Sequence, residues 1–401
     1  MKIPKLRFKE FSGEWEEKRL GEISSNIMYG LNSSATDFDG KNKYIRITDI
    51  DENSGLFKPN PLTSPSGELD DNFLVNKNDI LFARTGASVG KTYHYNESDG
   101  KLYFAGFLIR FNINKADSKF VYYNTLRNEY LNWIKLTSMR TGQPGVNAEE
   151  YKSYKFNLPI FKEQEKIGNF LSGVDKKISI TEEKLNLFKE YKKGVMQKIF
   201  TQKLRFKDSN GNNYPDWVEK NLGEVFDIRD GTHDSPKYLS TGYPLVTSKN
   251  VQNGKIDLKN VNYISLEDFE KINKRSKVSK GDILMGMIGS IGNLAIVDSE
   301  NFAIKNVALI KEKEEVKNKF LYQTLQTELF YKKISLLNDG GIQKFISLNN
   351  IRNLTLKFPC LEEQEKIANF LSSIDNKIEN LSNELENLKD FKKGLLQKMF
   401  I

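Results

Sequence analysis

The chain contains nearly the same stretch twice: KEQEKIGNFLSGVDKKIS occupies residues 162–179, and EEQEKIANFLSSIDNKIE occupies residues 362–379. Residues 161–200 align with residues 361–400 without a gap, and the two segments are identical at 20 of 40 positions. Agreement of this extent, two hundred residues apart, indicates an internal duplication.

Both copies carry apolar residues at alternating steps of three and four, which is the heptad pattern of a coiled coil. The predicted helix seam comprises Ile167, Leu171, Val174, Ile178, Leu185, Phe188, Val195 and Ile199 in the first copy, and Ile367, Leu371, Ile374, Ile378, Leu381, Leu385, Leu388, Leu395 and Met399 in the second. A stripe this narrow cannot bury itself on an isolated helix, so we expect one intramolecular antiparallel coiled coil. The alternative is two amphipathic helices that each dock on their own globular half.

Lysine occupies the same step of both seams, as Lys192 and Lys392. A charged residue on an apolar seam costs stability, so its recurrence indicates a shared role, either in fixing the register or in binding another protein. We predict the second role and treat both lysines as candidate partner-binding residues.

The duplication extends into the segments that precede the helices. KLRFK occurs at residues 5–9 and 203–207, and KNDILFARTGASVG parallels KGDILMGMIGSIG. Between these anchors the halves share little, as expected of one scaffold that carries two different surfaces on its loops. β-Branched and aromatic runs indicate strands, and residues 118–133 and 318–335 are predicted to be helical. The predicted fold class is mixed α/β: two similar globular α/β domains separated by a long antiparallel two-helix coiled coil, with a pseudo-two-fold internal repeat.

The length and charge of the chain limit its function. The 401 residues suffice for two hydrophobic cores, and the net charge of +8 is spread over both halves. An even basic excess suits two modest contacts with an acidic polymer such as nucleic acid. The sequence shows neither a secretory signal nor a membrane-spanning apolar run, so we expect a cytoplasmic protein.

Catalytic and metal-binding patterns are absent from the sequence. ARTGASVGKT resembles a phosphate-binding loop, but three residues separate Gly86 from Gly90 where that motif needs four, so we predict a tight turn after a buried strand. His94 and His233 have no acidic or cysteine pattern around them, and the single cysteine, Cys360, cannot form an internal disulfide. We therefore predict that the chain is not an enzyme and holds no metal.

The duplicated motifs, taken together in their order, resemble those of the specificity subunits of type I restriction-modification systems. The resemblance covers the whole chain, and the motifs that carry it are the EQEKI helix starts at Glu163 and Glu363, the KKG..QK.F helix ends at Lys192 and Lys392, and the DIL strands at Asp79 and Asp282. It implies DNA target-recognition domains at residues 1–160 and 201–358, and conserved spacer helices at residues 161–200 and 359–401.

This resemblance implies a non-catalytic subunit that recognises a split DNA sequence. Each target-recognition domain would bind one half-site of double-stranded DNA, while the helices set the gap and dock two modification subunits. Those partners would bind S-adenosylmethionine and methylate adenine, and restriction subunits would add translocation and cleavage driven by ATP and Mg²⁺. The cofactors would then belong to the partners, and none is expected in this chain.

Polar side chains on loops near the glycine turns are the candidate DNA-binding residues, because their hydrogen-bonding groups complement base edges in the major groove. They are Arg46, Thr48, Arg84, Thr85, Arg140 and Gln143 in the first half, and Thr247, Ser248, Lys249, Asn250, Ser290, Gln343 and Lys344 in the second. The competing interpretation is that the hydroxyl residues close turns and that the cations contact phosphate without reading sequence.

Two other functions stay open on the sequence. One is a stand-alone duplicated DNA-binding protein that recruits something other than methyltransferases, which co-purification of partners would reveal. The other is a coiled-coil adapter whose halves bind protein, which predicts DNA binding that is weak and independent of sequence.

Overall fold

The chain forms two compact units, each of which contains part of both duplicated helices. Unit 1 comprises Met1–Glu183 and Ser382–Ile401, and unit 2 comprises Lys184–Leu381. The computed structural model describes residues 3–52, 54–252, 254–289, 291–337 and 345–401. Because the units divide the long helices between them, the domain limits derived from the resemblance stay predictions.

Unit 1 combines short strands with short helices. Its elements are β1 Glu16–Arg19, β2 Ser24–Tyr29, β3 Ala35–Asp37, β4 Lys43–Ile45, β5 Thr63–Pro65, β6 Asp79–Ala83, β7 Thr92–His94, β8 Leu102–Phe104, β9 Leu108–Ile113, α1 Ser118–Asn124, α2 Asn128–Thr137, α3 Ala148–Lys152 and β10 Lys155–Leu158, followed by the first long helix, α4, at Phe161–Phe200. Four of the strands form an antiparallel sheet in the order β2-β9-β6-β7. The parallel pair β4-β8 and the antiparallel pairs β1-β10 and β3-β5 lie outside this sheet.

Unit 2 repeats this plan with additions. Its elements are β11 Val218–Asn221, α5 Leu222–Val225, β12 Phe226–Asp230, β13 Tyr243–Thr247, β14 Val251–Gln252, β15 Lys255–Ile256, β16 Asn262–Ile264, α6 Leu266–Ser276, β17 Ile283–Gly286, β18 Leu294–Ile296, β19 Ala303–Lys305, β20 Val307–Glu312, α7 Asn318–Thr324, α8 Glu328–Leu336, α9 Leu348–Arg352 and β21 Thr355–Phe358, followed by the second long helix, α10, at Leu361–Lys398. The sheet β12-β20-β17-β18 and the parallel pair β13-β19 correspond to the sheet and the parallel pair of unit 1. The mixed α/β repeat predicted from the sequence is confirmed.

The DIL motif contributes to one of the two inner strands of each four-stranded sheet, β6 in unit 1 and β17 in unit 2. In β6, Ile80 and Phe82 belong to one hydrophobic cluster, while Leu81 and Ala83 belong to another. Both faces of the strand are therefore buried, which explains its unbroken apolar run. The aspartate of the motif fixes the turn that leads into the strand. Asp79 accepts the N–H of Asn76 over 2.7 Å, and Asp282 in unit 2 accepts the N–H of Ser279 over the same distance.

The start of each long helix is fixed by the first two polar residues of its EQEKI motif. Glu163 is fully buried and pairs with Arg7 of the first KLRFK segment through two hydrogen bonds of 2.8 Å. Glu363 is also fully buried and pairs with Arg205 of the second segment. An uncompensated charge at such a depth is costly, so each KLRFK segment and its helix depend on one another.

The glutamine of each motif completes this attachment. The side-chain amide of Gln164 donates to Pro159 O over 2.8 Å and accepts the N–H of Asp117 over 2.9 Å. Gln364 makes the same pair of contacts, with Pro359 O and with the N–H of Lys317. The duplicated EQ pair thus ties each helix start to the strand and helix that precede it.

The seam residues of α4 and α10 lie inside the units. In unit 1, Ile167 and Leu171 from the start of α4 share a hydrophobic cluster with Leu395 and Met399 from the end of α10. In unit 2, the end of α4 and the start of α10 are joined in the corresponding cluster. None of the predicted seam residues is exposed. Since opposite ends of the helices meet in each unit, the pairing is antiparallel.

The seam lysines form ion pairs with the opposite helix. Lys392 Nζ lies 2.7 Å from Asp175 Oδ1 in unit 1, and Lys192 Nζ lies 2.6 Å from Asp375 Oδ1 in unit 2. The lysine side chains are only 12–14% exposed. Their geometry is that of a register device within the chain, and it leaves little of either ammonium for a partner; partner binding by these lysines stays a prediction.

The predicted helices at 118–133 and 318–335 are each interrupted. Helix α1 ends at Asn124 and α2 begins at Asn128, while α7 ends at Thr324 and α8 begins at Glu328. In unit 2 the hydroxyl of Thr327 accepts the N–H of Phe330, which is the capping contact that starts a new helix. The sequence therefore predicted helical structure in the right places but missed this break.

Candidate nucleic-acid interface

A glycine follows the corresponding strand in both units and shapes the backbone of the candidate interface. Gly30, after β2, and Gly231, after β12, each donate their N–H to the first residue of the neighbouring strand, over 3.0 and 3.1 Å. A Cβ on either glycine would lie 2.2 Å from a carbonyl oxygen, that of Ala105 in unit 1 and that of Ile304 in unit 2. No side chain fits there, so both positions require glycine.

A 3₁₀ turn after the parallel strand β4 or β13 holds several predicted residues. In unit 1, Arg46 caps this turn: its N–H and its Nε both donate to Asp49 Oδ2, over 2.8 and 2.9 Å. In unit 2, Thr247 occupies the place of Arg46, and its N–H and hydroxyl donate to Asn250 Oδ1 over 3.0 and 2.9 Å. Arg46 and Thr247 are thus committed to closing the same turn.

The turn directs its remaining predicted residues in two directions. Thr48 and Lys249 occupy matching positions, and both are exposed. Ser248 is 5% exposed and donates its hydroxyl to Asn306 O, and the buried Asn250 amide donates to two backbone carbonyls. Ser248 and Asn250 therefore stabilise the loop from inside, and we remove them from the candidate interface.

Unit 1 has a cleft of about 600 Å³ at this edge. Three predicted residues, Arg46, Thr48 and Arg84, line it together with Tyr29 and Phe107. Arg84 Nε donates to Gly106 O over 3.0 Å, and its Cζ lies 5.0 Å from the ring centre of Tyr29 and 5.8 Å from that of Phe107. We call this group the Arg84 cleft.

The predicted loop residues beside this cleft divide into two groups. Gln143 lies against the turn after β6, because a Cβ on Gly86 would lie 2.9 Å from its Nε2. Thr85 in that turn pairs with Gly145 of the same loop, so Arg84, Thr85 and Gln143 are brought together. Arg140 is bound elsewhere: its guanidinium donates to Glu150 and to two backbone carbonyls, so we remove Arg140 from the candidate interface as well.

The turn that resembles a phosphate-binding loop uses its own amides internally. Gly86 N donates to Pro144 O over 2.9 Å, Val89 N to Gly86 O over 3.1 Å, and Gly90 N to Ala83 O over 3.0 Å. The prediction of a tight turn after a buried strand is confirmed, and these amides are not free to hold a phosphate.

The same edge in unit 2 carries different side chains. The strand register places Asp230 where unit 1 has Tyr29, and Met287, which is 6% exposed, where unit 1 has Arg84. Asp230 accepts from His233 Nε2 over 2.7 Å and forms an ion pair with Arg275 of α6. We call this group the Asp230 cluster. Three predicted residues of unit 2, Ser290, Gln343 and Lys344, lie outside the described residues.

Sequence reasoning missed Tyr29, Phe107 and Asp230, and it found no acidic pattern around His233, which in the structure contacts Asp230. The two segments GEISSNIMYG and GEVFDIRDG both end in the required glycine, and aligning them there is the signal that would have identified the residues beside it. No such signal exists for Phe107, because it reaches the cleft only through the sheet.

The remaining polar groups give no indication of catalysis or metal binding. Burial lowers the pKa of His94 to about 4, and its Nε2 lies 2.9 Å from the hydroxyl of Ser118. Within the described ranges, no group of three or more His, Cys, Asp or Glu side chains is arranged to hold a metal ion. Nor does this part of the chain contain a helix that is both long and apolar enough to cross a membrane.

Known proteins are similar to this chain over most of its length. The chain is 29% identical to the type I restriction enzyme MjaVIII specificity subunit of Methanocaldococcus jannaschii, over 80% of this chain and 78% of that protein. It is 27% identical to the putative type I restriction enzyme MjaX specificity subunit of the same organism, over 98% and 94% of the two chains. The fold matches the crystal structure of the type I restriction-modification system S subunit from M. genitalium, with a TM-score of 0.68 and 17% identity over 100% of this chain and 99% of that one.

The family described as type I restriction modification DNA specificity domain matches residues 12–190 and residues 214–390, one match for each copy of the repeat. Together these two matches cover most of the chain. The chain therefore belongs to the family of type I restriction-modification DNA specificity proteins.

Proposed function

We propose that each unit reads one half-site of a bipartite DNA target, and that the two half-sites differ in sequence. The observation that carries this proposal is the contrast between the Arg84 cleft and the Asp230 cluster, which stand on the same backbone frame. A duplicated frame with different donors and acceptors on it suits two readings of different base edges, since base specificity depends on the pattern of donors and acceptors. The exposed Thr48 and Lys249, at matching positions, fit this interface.

The proposal assigns the long helices to spacing and assembly. They would set the gap between the half-sites and dock two modification subunits, with restriction subunits joining the complex. Because Lys192 and Lys392 are held in internal ion pairs, the better candidates for docking are their neighbours Tyr191 and Phe391, which are matched aromatic residues with 52% and 51% exposure. Exposed aromatic side chains of this kind are enriched at protein interfaces.

This chain would act without catalysing a reaction itself. S-Adenosylmethionine, ATP and Mg²⁺ would be held by the modification and restriction subunits, and we assign none of them to this chain. A DNA-recognition role also supports the cytoplasmic location expected from the sequence.

Methylation mapping in a host that carries this chain with its methyltransferase subunits tests the proposal. We expect methylated adenines within one bipartite motif that has a fixed gap. A host that carries the methyltransferase subunits alone is the control, and it should show no such motif. A continuous motif, or none, would contradict the proposal; co-purification with unrelated proteins would favour the stand-alone DNA-binding alternative.

A further inference from the structure

Arg84 differs from most arginines of the chain in having no carboxylate partner. Within the described residues, eight arginines lie within 4.0 Å of a carboxylate oxygen: Arg7, Arg46, Arg110, Arg127, Arg140, Arg205, Arg229 and Arg275. Of the others, Arg19 is exposed and Arg352 donates to Ile228 O. Arg84 is partly buried in the cleft, and its Nη1 and Nη2 have no partner in the described part of the chain.

The guanidinium of Arg84 is nevertheless held in a defined position. Its Nε is fixed by Gly106 O, and Gly106 is itself fixed because its N–H donates to Leu31 O over 2.9 Å. The Tyr29 ring lies beside it, and the Tyr29 hydroxyl accepts the N–H of Ala148 over 3.2 Å, which anchors the ring. A guanidinium plane supported in this way loses little conformational freedom when it binds a ligand.

Two free N–H edges on a fixed guanidinium plane require two acceptors of matching spacing. Guanine offers such a pair in the major groove of DNA, where its O6 and N7 accept two hydrogen bonds from one arginine. A phosphate offers acceptors too, but phosphate contacts position a protein on any sequence and would belong to the shared frame. Arg84 is not part of the shared frame, because unit 2 has the buried Met287 in its place.

We propose that Arg84 reads a guanine, through N7 and O6, in the half-site bound by unit 1. This inference rests on the proposed function and adds to it a specificity-determining residue and the base that it reads. It also implies that unit 2 makes no arginine contact at the corresponding place.

Three variants of the full-length chain, each co-expressed with the methyltransferase subunits, test the inference. Arg84→Met supplies the residue that unit 2 has, and Arg84→Lys keeps the charge but removes the planar fork. Arg140→Met is the matched control, because the guanidinium of Arg140 is already bound by Glu150. In methylation mapping, we expect both Arg84 variants to relax one guanine of one half-site and to leave the other half-site unchanged. Preference at that position should fall roughly ten- to hundredfold. Arg140→Met should leave every position unchanged.

Base analogues separate base reading from phosphate contact. For the wild-type complex, replacing that guanine by 7-deazaguanine, which lacks N7, should weaken binding to duplex DNA about as much as Arg84→Met does. Inosine, which keeps O6 and N7, should be tolerated, and the Arg84→Met complex should not distinguish the analogues.

The outcomes are distinguishable. If the wild-type chain specifies no bipartite motif, the proposed function fails and the role of Arg84 fails with it. If the motif is present and both Arg84 variants keep every position, only the role of Arg84 is overturned. Uniform loss of methylation by a folded Arg84→Lys chain would also overturn the role of Arg84. So would a position that is relaxed by Arg140→Met alone. If Arg84→Met does not fold, Arg84→Lys decides the test.

Discussion

The Arg84 cleft of unit 1 and the Asp230 cluster of unit 2 occupy corresponding edges of the same fold. Both edges have the required glycine after the first strand of the sheet, the 3₁₀ turn after the parallel strand, and the tight turn after the DIL strand. The side chains on them differ: a cation held beside aromatic rings in unit 1, and a carboxylate bound by His233 and Arg275 in unit 2. Duplication has kept the contacts that fold each unit while the side chains presented to a ligand have diverged.

Removing unit 2 should abolish the difference between the two half-sites altogether, and this is the largest effect that we expect. Helix α4 contains both Asp175 and Lys192, so two copies of residues 1–200 can form the two seam ion pairs that α4 and α10 form in the intact chain. We expect a dimer whose target is a palindrome of the unit 1 half-site. Sizing chromatography and selection from random duplex DNA measure both properties.

The control for this experiment is the same half with Asp175→Lys, which places lysine opposite lysine and should stay monomeric. A wild-type half that binds DNA as a monomer, with no symmetric preference in the selected sequences, would show that the two helices are not interchangeable.

Where the units are alike, equal perturbations should have equal effects. Lys392→Glu in unit 1 and Lys192→Glu in unit 2 each place a second carboxylate beside a partly buried aspartate. Because the aspartates are about one-third exposed, we expect about 2–3 kcal/mol of local destabilisation, below the cost of breaking a fully buried pair. Hydrogen exchange, followed separately in each unit, is the measurement.

The charge-swapped chain with Lys392→Glu and Asp175→Lys provides the control, and it should recover at least half of the loss. If the swapped chain were no more stable than the single variant, the lysine would contribute by packing its methylene groups and not through the ion pair.

A partly buried histidine should make the stability of unit 1 more sensitive to acid than that of unit 2. The pKa of His94 is lowered from 6.5 to about 4 by burial, with a smaller contribution from Lys119. As the pH falls, the unfolded chain therefore binds a proton at this histidine before the folded chain does. This contribution to the free energy of unfolding is present above pH 6.5 and is lost progressively towards pH 4. At pH 5 the loss should be about 2 kcal/mol.

Unit 2 has Ile296 at the position of His94, so it should lack this contribution. Urea unfolding at pH 7 and pH 5, monitored by hydrogen exchange in each unit, measures the difference in acid sensitivity between the two units. In His94→Gln the extra sensitivity of unit 1 should disappear, and its persistence there would assign it to another group.

The sequence predicted the repeated features well because they are local and periodic. The heptad seam, the buried DIL strand and the helix start at Glu163 each show their pattern within a short stretch of sequence, and duplication shows each pattern twice. The breaks between α1 and α2 and between α7 and α8 were missed, since an amphipathic pattern continues across the few residues that separate the helices.

The candidate site could be predicted only in part because its contacts are not local. Arg84 stood out by its type and by its place after a strand, but Tyr29 reaches it from the end of β2 and Phe107 from the turn before β9. The sequence placed Lys192 on the seam, yet only the register of the opposite helix shows that Asp375 neutralises it. Ser248 and Asn250 have the side chains of base readers, and the direction of one short turn buries them instead.

The smallest effect should come from moving the chain termini from unit 1 to unit 2. In unit 1, Leu6 N donates to Lys398 O over 2.8 Å, and in unit 2 the matching Leu204 N donates to Lys198 O over 3.0 Å. The same contact thus joins the first and last segments of the chain in one unit and lies within continuous chain in the other. Five residues between Lys198 and Leu204 suffice for that connection in unit 2, whereas a direct bond from Ile401 to Met1 would place eight residues between Lys398 and Leu6.

We therefore expect that joining Ile401 to Met1 and reopening the chain after Thr201 changes the stability of either unit by less than about 1 kcal/mol, because exposed connections tolerate such rewiring. A permutant reopened between Ile80 and Leu81 is the matched control, and it should fail to fold because it cuts a strand that is buried on both faces. Urea unfolding, assembly with the methyltransferase subunits and the methylated motif should all match the wild type in the first permutant. A first permutant that folds but specifies a different motif would show that the position of the termini, and not only the side chains at the two edges, distinguishes unit 1 from unit 2.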